Sequence, residues 1–221
     1  FGQPQANYWV HWLTPILNAA LGYEMQLPAR QPATLQQVLE ACPELHFILD
    51  GTERPIQRPK DRQRQQDYYS GRKKRHTVKN VVITHKPSGR ILGLSRTYPG
   101  RRHDKAVADE EGFSFPPGSH LWEDTGFEGY APEGVIIHRP KKKPPKGELS
   151  PEEKAQNRAI SQERIGVEHS IGKVKIFRIV REIYRNHRPE FEDLVMETAC
   201  GLCNLLLACR PTKVAHLTAT A

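Results

Sequence analysis

Three acidic residues stand where a carboxylate is chemically out of place, and metal-assisted chemistry at phosphorus is the work such a set could do. Asp50 closes the short apolar run Leu45 to Asp50 (LHFILD), and Asp124 closes another in LWEDTGF, just before a glycine turn. Glu168 falls in a long helical stretch, with Ile160, Arg164, Ile171 and Lys175 at offsets of −8, −4, +3 and +7, so it shares a face with residues suited to packing on a sheet. An isolated carboxylate in apolar surroundings is expensive to keep ionised, and Glu is rarely buried without a partner. Two strand carboxylates and one helix carboxylate directed at one edge would hold a pair of hard divalent cations, which prefer oxygen ligands. One cation would activate a water or a 3′ hydroxyl, and the other would stabilise the leaving oxygen of an in-line displacement. Each acid also has a plainer reading that spacing leaves open. Asp50 before Gly51 and Thr52, and Asp124 before Thr125 and Gly126, read equally as turn aspartates, and Glu168 as the partner of Arg164 one turn earlier.

The elements that must carry these acids follow from periodicity and punctuation. Trp9, Trp12, Leu13, Ile16 and Ala20 recur at helical spacing, with Thr14 and Pro15 predicting the start of a new helix that ends near Gly22. Thr34 with Gln37 predicts a capping box for a helix bearing Leu35, Val38, Leu39 and Cys42, closed by Pro43. Leu45 to Asp50 reads as a strand buried on both faces, and His76 to His85 with Arg90 to Thr97 as a hairpin across Lys86 to Gly89. Asp104 is expected to cap a short helix running to Glu111, with small strands at Leu121 to Asp124 and Val135 to His138. Arg139 to Gly147 (RPKKKPPKG) is too proline-rich for a helix or an interior strand. Ser150, Pro151 and Glu153 supply N-cap, first-turn proline and capping-box glutamate for a helix to about Gly172, and Glu190 to Cys209 repeats helically. This order predicts an α/β chain with a mixed five-stranded sheet flanked by helices, in the ribonuclease H-like arrangement. Residues 1–44 would form a small N-terminal helical lead-in, 45–209 the catalytic domain and 210–221 a flexible tail.

Composition narrows the partner. Lys and Arg total 33 against 25 Asp and Glu, a formal charge of +8, which favours a polyanion. Between Asp50 and Lys79 stand ten basic residues against four acids, whereas the first 49 residues hold only Arg30 as a strong base. A cluster of this kind attracts phosphates in a salt-dependent way, or simply solvates a surface. The sequence holds no apolar run of the length a bilayer requires and opens on no secretory signal, which predicts a soluble protein without a membrane partner. Four cysteines fit a reducing, cytoplasmic compartment. Phe1 is not an initiator, and Met25 and Met196 are the methionines, so a fragment, a processed form or half of a split reading frame is expected.

Six segments together resemble a known family: DGTERPIQRP, YSGRKKRHTVKN, TYPGRRHDK, EDTGFEGY, HRPKKKPPKGELSPEEKAQNRAISQERIGVEHSIGKVK and ETACGLCNLL. They are similar, in matching order over roughly residues 1–208, to the DDE superfamily endonuclease domain of bacterial insertion-sequence transposases, related to the Harbinger-like transposases. The resemblance implies a catalytic and metal-binding triad at Asp50 in Asp-Gly-Thr, Asp124 in Asp-x-Gly-aromatic and Glu168 in Arg-x-x-x-Glu. It implies two divalent ions, Mg with Mn as substitute, cleavage at element ends and strand transfer into target DNA. A homodimer or higher oligomer on DNA, in the bacterial nucleoid, is expected with it. Arg72, Lys73, Lys74, Arg75, Lys141, Lys142, Lys143, Lys146, Arg164, Lys173 and Lys175 are the expected DNA contacts, and His103 a possible accessory residue. Gln5 to Leu21 would be the remnant of an upstream DNA-reading module.

Competing readings are a domesticated DNA-binding protein that no longer mobilises an element, and a ribonuclease H or junction resolvase on the same fold. The intact triad argues against the first and the family segments against the second. Cys200 and Cys203 form a CxxC within an apolar helical stretch without a second pair, and are expected in the core, as are Trp9 and Trp12.

Overall fold

The computed structural model describes residues 2–144 and 147–210, and the side chains of residues 164–171 lie outside the described residues. The sequence expectations for Lys146, for the side chains of Arg164, Glu168 and Ile171, and for the tail after residue 210 therefore fall outside what is described.

Among the described residues a seven-stranded sheet organises the molecule. Its strands are β1 (His46–Pro55), β2 (Tyr69–Ser70), β3 (Arg75–His85), β4 (Ile91–Leu94), β5 (Tyr98–Pro99), β6 (His120–Trp122) and β7 (Ile136–His138). The order is β2-β3-β1-β6-β7, with β4 and β5 also pairing with β3. Strand β1 is antiparallel to β3 and parallel to β6, and β6 is parallel to β7. The expected five strands become seven because Arg90 to Thr97 breaks after Leu94, a second short piece at Tyr98–Pro99 rejoins β3, and Tyr69–Ser70 pairs at its start.

Among the described residues seven helices accompany the sheet: α1 (Gln3–Tyr23), α2 (Pro32–Glu40), α3 (Arg62–Tyr68), α4 (Asp104–Glu111), α5 (Pro151–Val174), α6 (Arg178–Arg181) and α7 (Phe191–Ala208). Side chains alternate along a strand, so each face of the sheet builds its own core. On one face Ile48, Val82, Leu94 and Trp122 pack with Val174 of α5, Val180 of α6, and Phe191, Val195, Cys200 and Cys203 of α7. On the other, Phe47, Leu49, Val81, Ile83 and Leu121 pack with Leu35 and Leu39 of α2 and Val107 and Ala108 of α4. This is a mixed α/β, ribonuclease H-like arrangement. The two cysteines are core residues, as expected, and burial pushes the Cys203 thiol up to about 11.

The N-terminal reading fails in two instructive places. Helix α1 runs unbroken through Pro15, and the Thr14 hydroxyl donates to the Val10 carbonyl at 2.7 Å instead of starting a new helix. Trp9 and Trp12, expected in the core, are 39% and 53% exposed. The face that α1 turns to α7 is instead His11, Thr14, Asn18 and Leu21, where Asn18 donates to Glu197 and Thr198 and His11 stacks on Phe191. A polar stripe docks this helix, and apolar periodicity points to the wrong side. In α2 the N-cap is Gln31 with Pro32 in the first turn, rather than a Thr34 box. By contrast, the Ser150 box forms as read: Ser150 N donates to Glu153 at 3.0 Å, and Glu153 N donates to the Ser150 hydroxyl at 3.2 Å.

Candidate active site

Strand pairing carries the two aspartates to one edge. Phe47 and Ile48 of β1 lie level with Leu121 and Trp122 of β6, so two residues further along the register aligns Asp50, still within β1, with Asp124, just past the end of β6. Asp50 sits opposite Val82 of β3, and Val82, Ile48 and Trp122 belong to the core under α5, α6 and α7. Asp50 therefore lies on that face, and both aspartates are half-buried. Gly51 N donates to Asp50 Oδ1 at 2.9 Å. Gly126 N donates to Asp124 Oδ1 at 2.7 Å, capping the single 3-10 turn Thr125–Phe127. Two like charges this placed repel unless a cation offsets them, and carboxylate oxygens on half-buried strand ends suit a hard divalent ion.

The third acid rides on α5, whose Val174 packs against the same core. The Glu168 side chain lies outside the described residues. Among the described residues, no group of three or more His, Cys, Asp or Glu side chains could hold a metal ion.

Two ionic braces and one buried, hydrogen-bonded guanidinium lie near the pair, and none was read from the sequence. Glu123, next to Asp124, is fully buried and takes a 2.6 Å hydrogen bond from Arg139, which also donates to the Phe127 carbonyl at 2.7 Å. Arg139 thus anchors the start of the basic loop rather than offering its charge to solvent. Arg54, counted above in the basic cluster, is only 2% exposed and donates to the Glu192 carbonyl at 2.8 Å and to Asn80 at 2.9 Å. Burial lowers its pKa to about 10, against the opposing pull of Asp193. Lys79 is buried too, with its ammonium 2.8 Å from Asp104 Oδ1. A buried charge is tolerable only when paired in this way. Asp104 itself is the first residue of α4, and the N-cap expected of it is His103.

The expected DNA contacts separate into groups. Lys73, Arg75 and Lys175 gather with Arg181 around a small depression that also holds Glu53 and Thr77. Burial and the nearby Lys73 pull the Lys175 ammonium below its ordinary range, while Asp50 and Glu53 pull the other way. Arg72 and Lys74 are exposed beside this group, and Lys173 is half-buried at the end of α5. Lys141 is tied to α5 by a 2.9 Å bond to Glu153 and by Asn157 on its backbone, and Lys142 lies 3.6 Å from Glu128. Lys143 is exposed with no ion pair among the described residues. His103 is exposed and lines a separate open depression with Arg62, Tyr69, His76 and Arg101.

At their other ends the same strands carry imidazoles. His46 of β1 is level with His120 of β6, and His120 Nδ1 and His138 Nε2 share a 2.8 Å hydrogen bond. Trp122 stacks on His138, and Lys86, paired with Glu163 of α5, sits 4.4 Å above the Trp122 ring. Burial and the neighbouring His120 hold the His138 pKa below its usual value.

A family model described as DDE superfamily endonuclease matches residues 49–204. Over 161 residues the chain is 33% identical to a probable transposase for insertion sequence element IS702 from Microchaete diplosiphon, covering 73% of this chain and 57% of that protein. The chain thus spans a little over half the length of this curated relative. No solved structure matches it. Among the described residues no helix is long and apolar enough to cross a membrane.

Proposed function

The chain belongs to the DDE superfamily endonucleases, and from that premise we propose that it is the catalytic part of a transposase, cleaving DNA at element ends and joining the freed 3′ end to target DNA. The observation that supports this most is the parallel register of β1 and β6, which, carried two residues on from Ile48 and Trp122, aligns Asp50 with Asp124. In this reading Asp50, Asp124 and Glu168 hold two divalent cations, Mg with Mn as substitute. When bound, those cations supply Lewis-acid activation of the nucleophile and neutralise charge on the leaving oxygen.

The chain's own groups do the rest. The backbone N–H groups of Gly51 and Gly126 orient the two carboxylates from behind. Lys73, Arg75 and Lys175 meet the phosphates of the strand beside the scissile bond, and the loop from Lys141 to Lys143 meets the flanking duplex. Two or more copies act together on the DNA, since an element has two ends to be cut and joined.

The test is cleavage of labelled DNA bearing the element ends, in Mg or Mn. Nicking is expected to disappear in Asp50→Ala, Asp124→Ala and Glu168→Ala while DNA binding persists. Retained nicking in any of the three removes that residue from the assignment, and binding without metal-dependent nicking in the unaltered chain points to a domesticated DNA-binding protein.

A further inference from the structure

A third carboxylate reaches the backbone beside both aspartates. Asp104, at the start of α4, lies against Gly51, next after Asp50, and against Gly126, two residues after Asp124. A Cβ placed on Gly51 would stand 2.7 Å from Asp104 Oδ1, and one on Gly126 would stand 2.7 Å from Asp104 Oδ2. Both distances are shorter than real Cβ contacts, so the Asp104 carboxylate fills the space that glycine leaves at Gly51 and shares it at Gly126 with Asp124 Oδ1, 2.8 Å from the same point. Gly51 is opposite Val81 in the register, on the face that packs against α2 and α4, so Asp104 meets Gly51 on the face opposite the one that carries Asp50.

The carboxylate is itself held. Lys79, on β3 and on the same face as Val81, places its ammonium 2.8 Å from Oδ1, off the axis of a directed hydrogen bond, so the contact is ionic. The ammonium is fixed in turn by a 2.6 Å bond to the Arg102 carbonyl, with Glu53 3.9 Å away. Lys79 and the Asp104 side chain are each largely buried, where an ion pair of this kind is rigid because breaking it strands a charge.

We infer that Asp104 is a positioning residue: clamped by Lys79, its carboxylate wedges between Gly51 and Gly126 and sets the spacing of Asp50 and Asp124. The inference rests on the reading of Asp50 and Asp124 as metal-binding acids. It explains why glycine stands at both positions although neither Gly51 nor Gly126 has a positive φ, since the requirement is room for the Asp104 carboxylate, joined at Gly126 by that of Asp124. Asp104 touches no reacting atom in this account, and its effect reaches the site through the two backbones.

The wedge makes a prediction that neither a metal ligand nor a general packing residue makes. Asp104→Ala should weaken Mn binding to the DNA-free protein about tenfold by calorimetry and slow nicking with little change in DNA affinity. Asp104→Asn keeps the shape but gives up the charge opposite Lys79, so its Mn affinity should lie between that of Asp104→Ala and that of the unaltered chain. Gly51→Ala should weaken Mn binding in the unaltered chain, because the new methyl displaces the carboxylate. In the Asp104→Ala background Gly51→Ala should cost much less, because the methyl enters the vacated space, whereas Gly126→Ala should stay costly because its methyl still meets Asp124 Oδ1. A Gly51→Ala cost that is the same in both backgrounds overturns the inference, as does an Asp104→Asn variant as impaired as Asp104→Ala. If Asp104→Ala does not fold by thermal melting, the same cycle is run with Asp104→Ser, which also vacates the wedge. Mn binding that survives Asp50→Ala and Asp124→Ala sinks the underlying metal reading. Binding lost in those two but untouched in the Asp104 and glycine variants sinks only the wedge.

Discussion

At their starts β1 and β6 set His46 against His120, and the same register carried four residues on aligns Asp50, in the middle of β1, with Asp124, just past the end of β6. Pairing in register brings like beside like at both ends, with opposite consequences. An imidazole sheds its charge near neutral pH, so His120 and His138 can share a proton and stack with Trp122 as an ordinary part of the fold. Carboxylates are ionised at that pH unless their surroundings shift them strongly, and their oxygens suit a divalent cation, here near the Lys175 ammonium that Asp50 attracts. One end of the strands pairs imidazole with imidazole, and the other offers oxygen ligands.

The sharpest way to break this comparison is at the acids. Asp50→Ala and Asp124→Ala should each reduce nicking about a thousandfold, the scale of several kcal/mol of lost charge stabilisation. The double substitution should cost no more than either single one, because groups acting as a unit are not additive. Additive losses would mean that the two acids work separately.

Next comes the brace at the acid end. Arg139→Met takes the guanidinium away from fully buried Glu123 and should cost about 3 kcal/mol in urea unfolding. A loss below ~1 kcal/mol, the range of exposed pairs, would show that Glu123 is satisfied without Arg139.

The histidine end should respond to pH instead of to metal. The folded His138 pKa lies below its unfolded value of about 6.5, so the unfolded chain takes up this proton first. Stability should therefore be insensitive to this group above about pH 6.5 and fall as the pH drops below that value, until the folded pKa is passed. His138→Asn should flatten the fall of Tm on acidification, and an unchanged profile would move the sensitivity elsewhere.

The smallest effect belongs to the surface. Lys143→Gln should lower the slope of log affinity against log salt by about 0.9 for duplex DNA if the residue meets one phosphate. An unchanged slope would place the loop outside the interface.

Much of this was legible because some signals are local. The Ser150–Glu153 box needs only four residues, and the runs ending at Asp50 and Asp124 announce strands wherever they end up. What stayed hidden depends on partners far along the chain. The outward turn of Trp9 and Trp12 follows from Asn18 meeting Glu197 and Thr198, and Arg54 left the basic surface because Asn80 and the Glu192 carbonyl receive it. Helix α3, capped by Asp61 on Arg64 N at 2.8 Å, has no buried residue and so gave no apolar pattern to read. The shared contact of Asp104 with Gly51 and Gly126 joins three segments, and each glycine alone reads as a turn.

The convergence of the two acids is tested most directly by loading the protein with Fe(II) in place of Mg and mapping where ascorbate and peroxide cut the chain. The account predicts paired cuts beside Asp50 and Asp124, suppressed by excess Mg and both lost in either Asp50→Ala or Asp124→Ala. Cuts at only one of the two positions, or a pair in which each substitution removes its own cut alone, would contradict a common site.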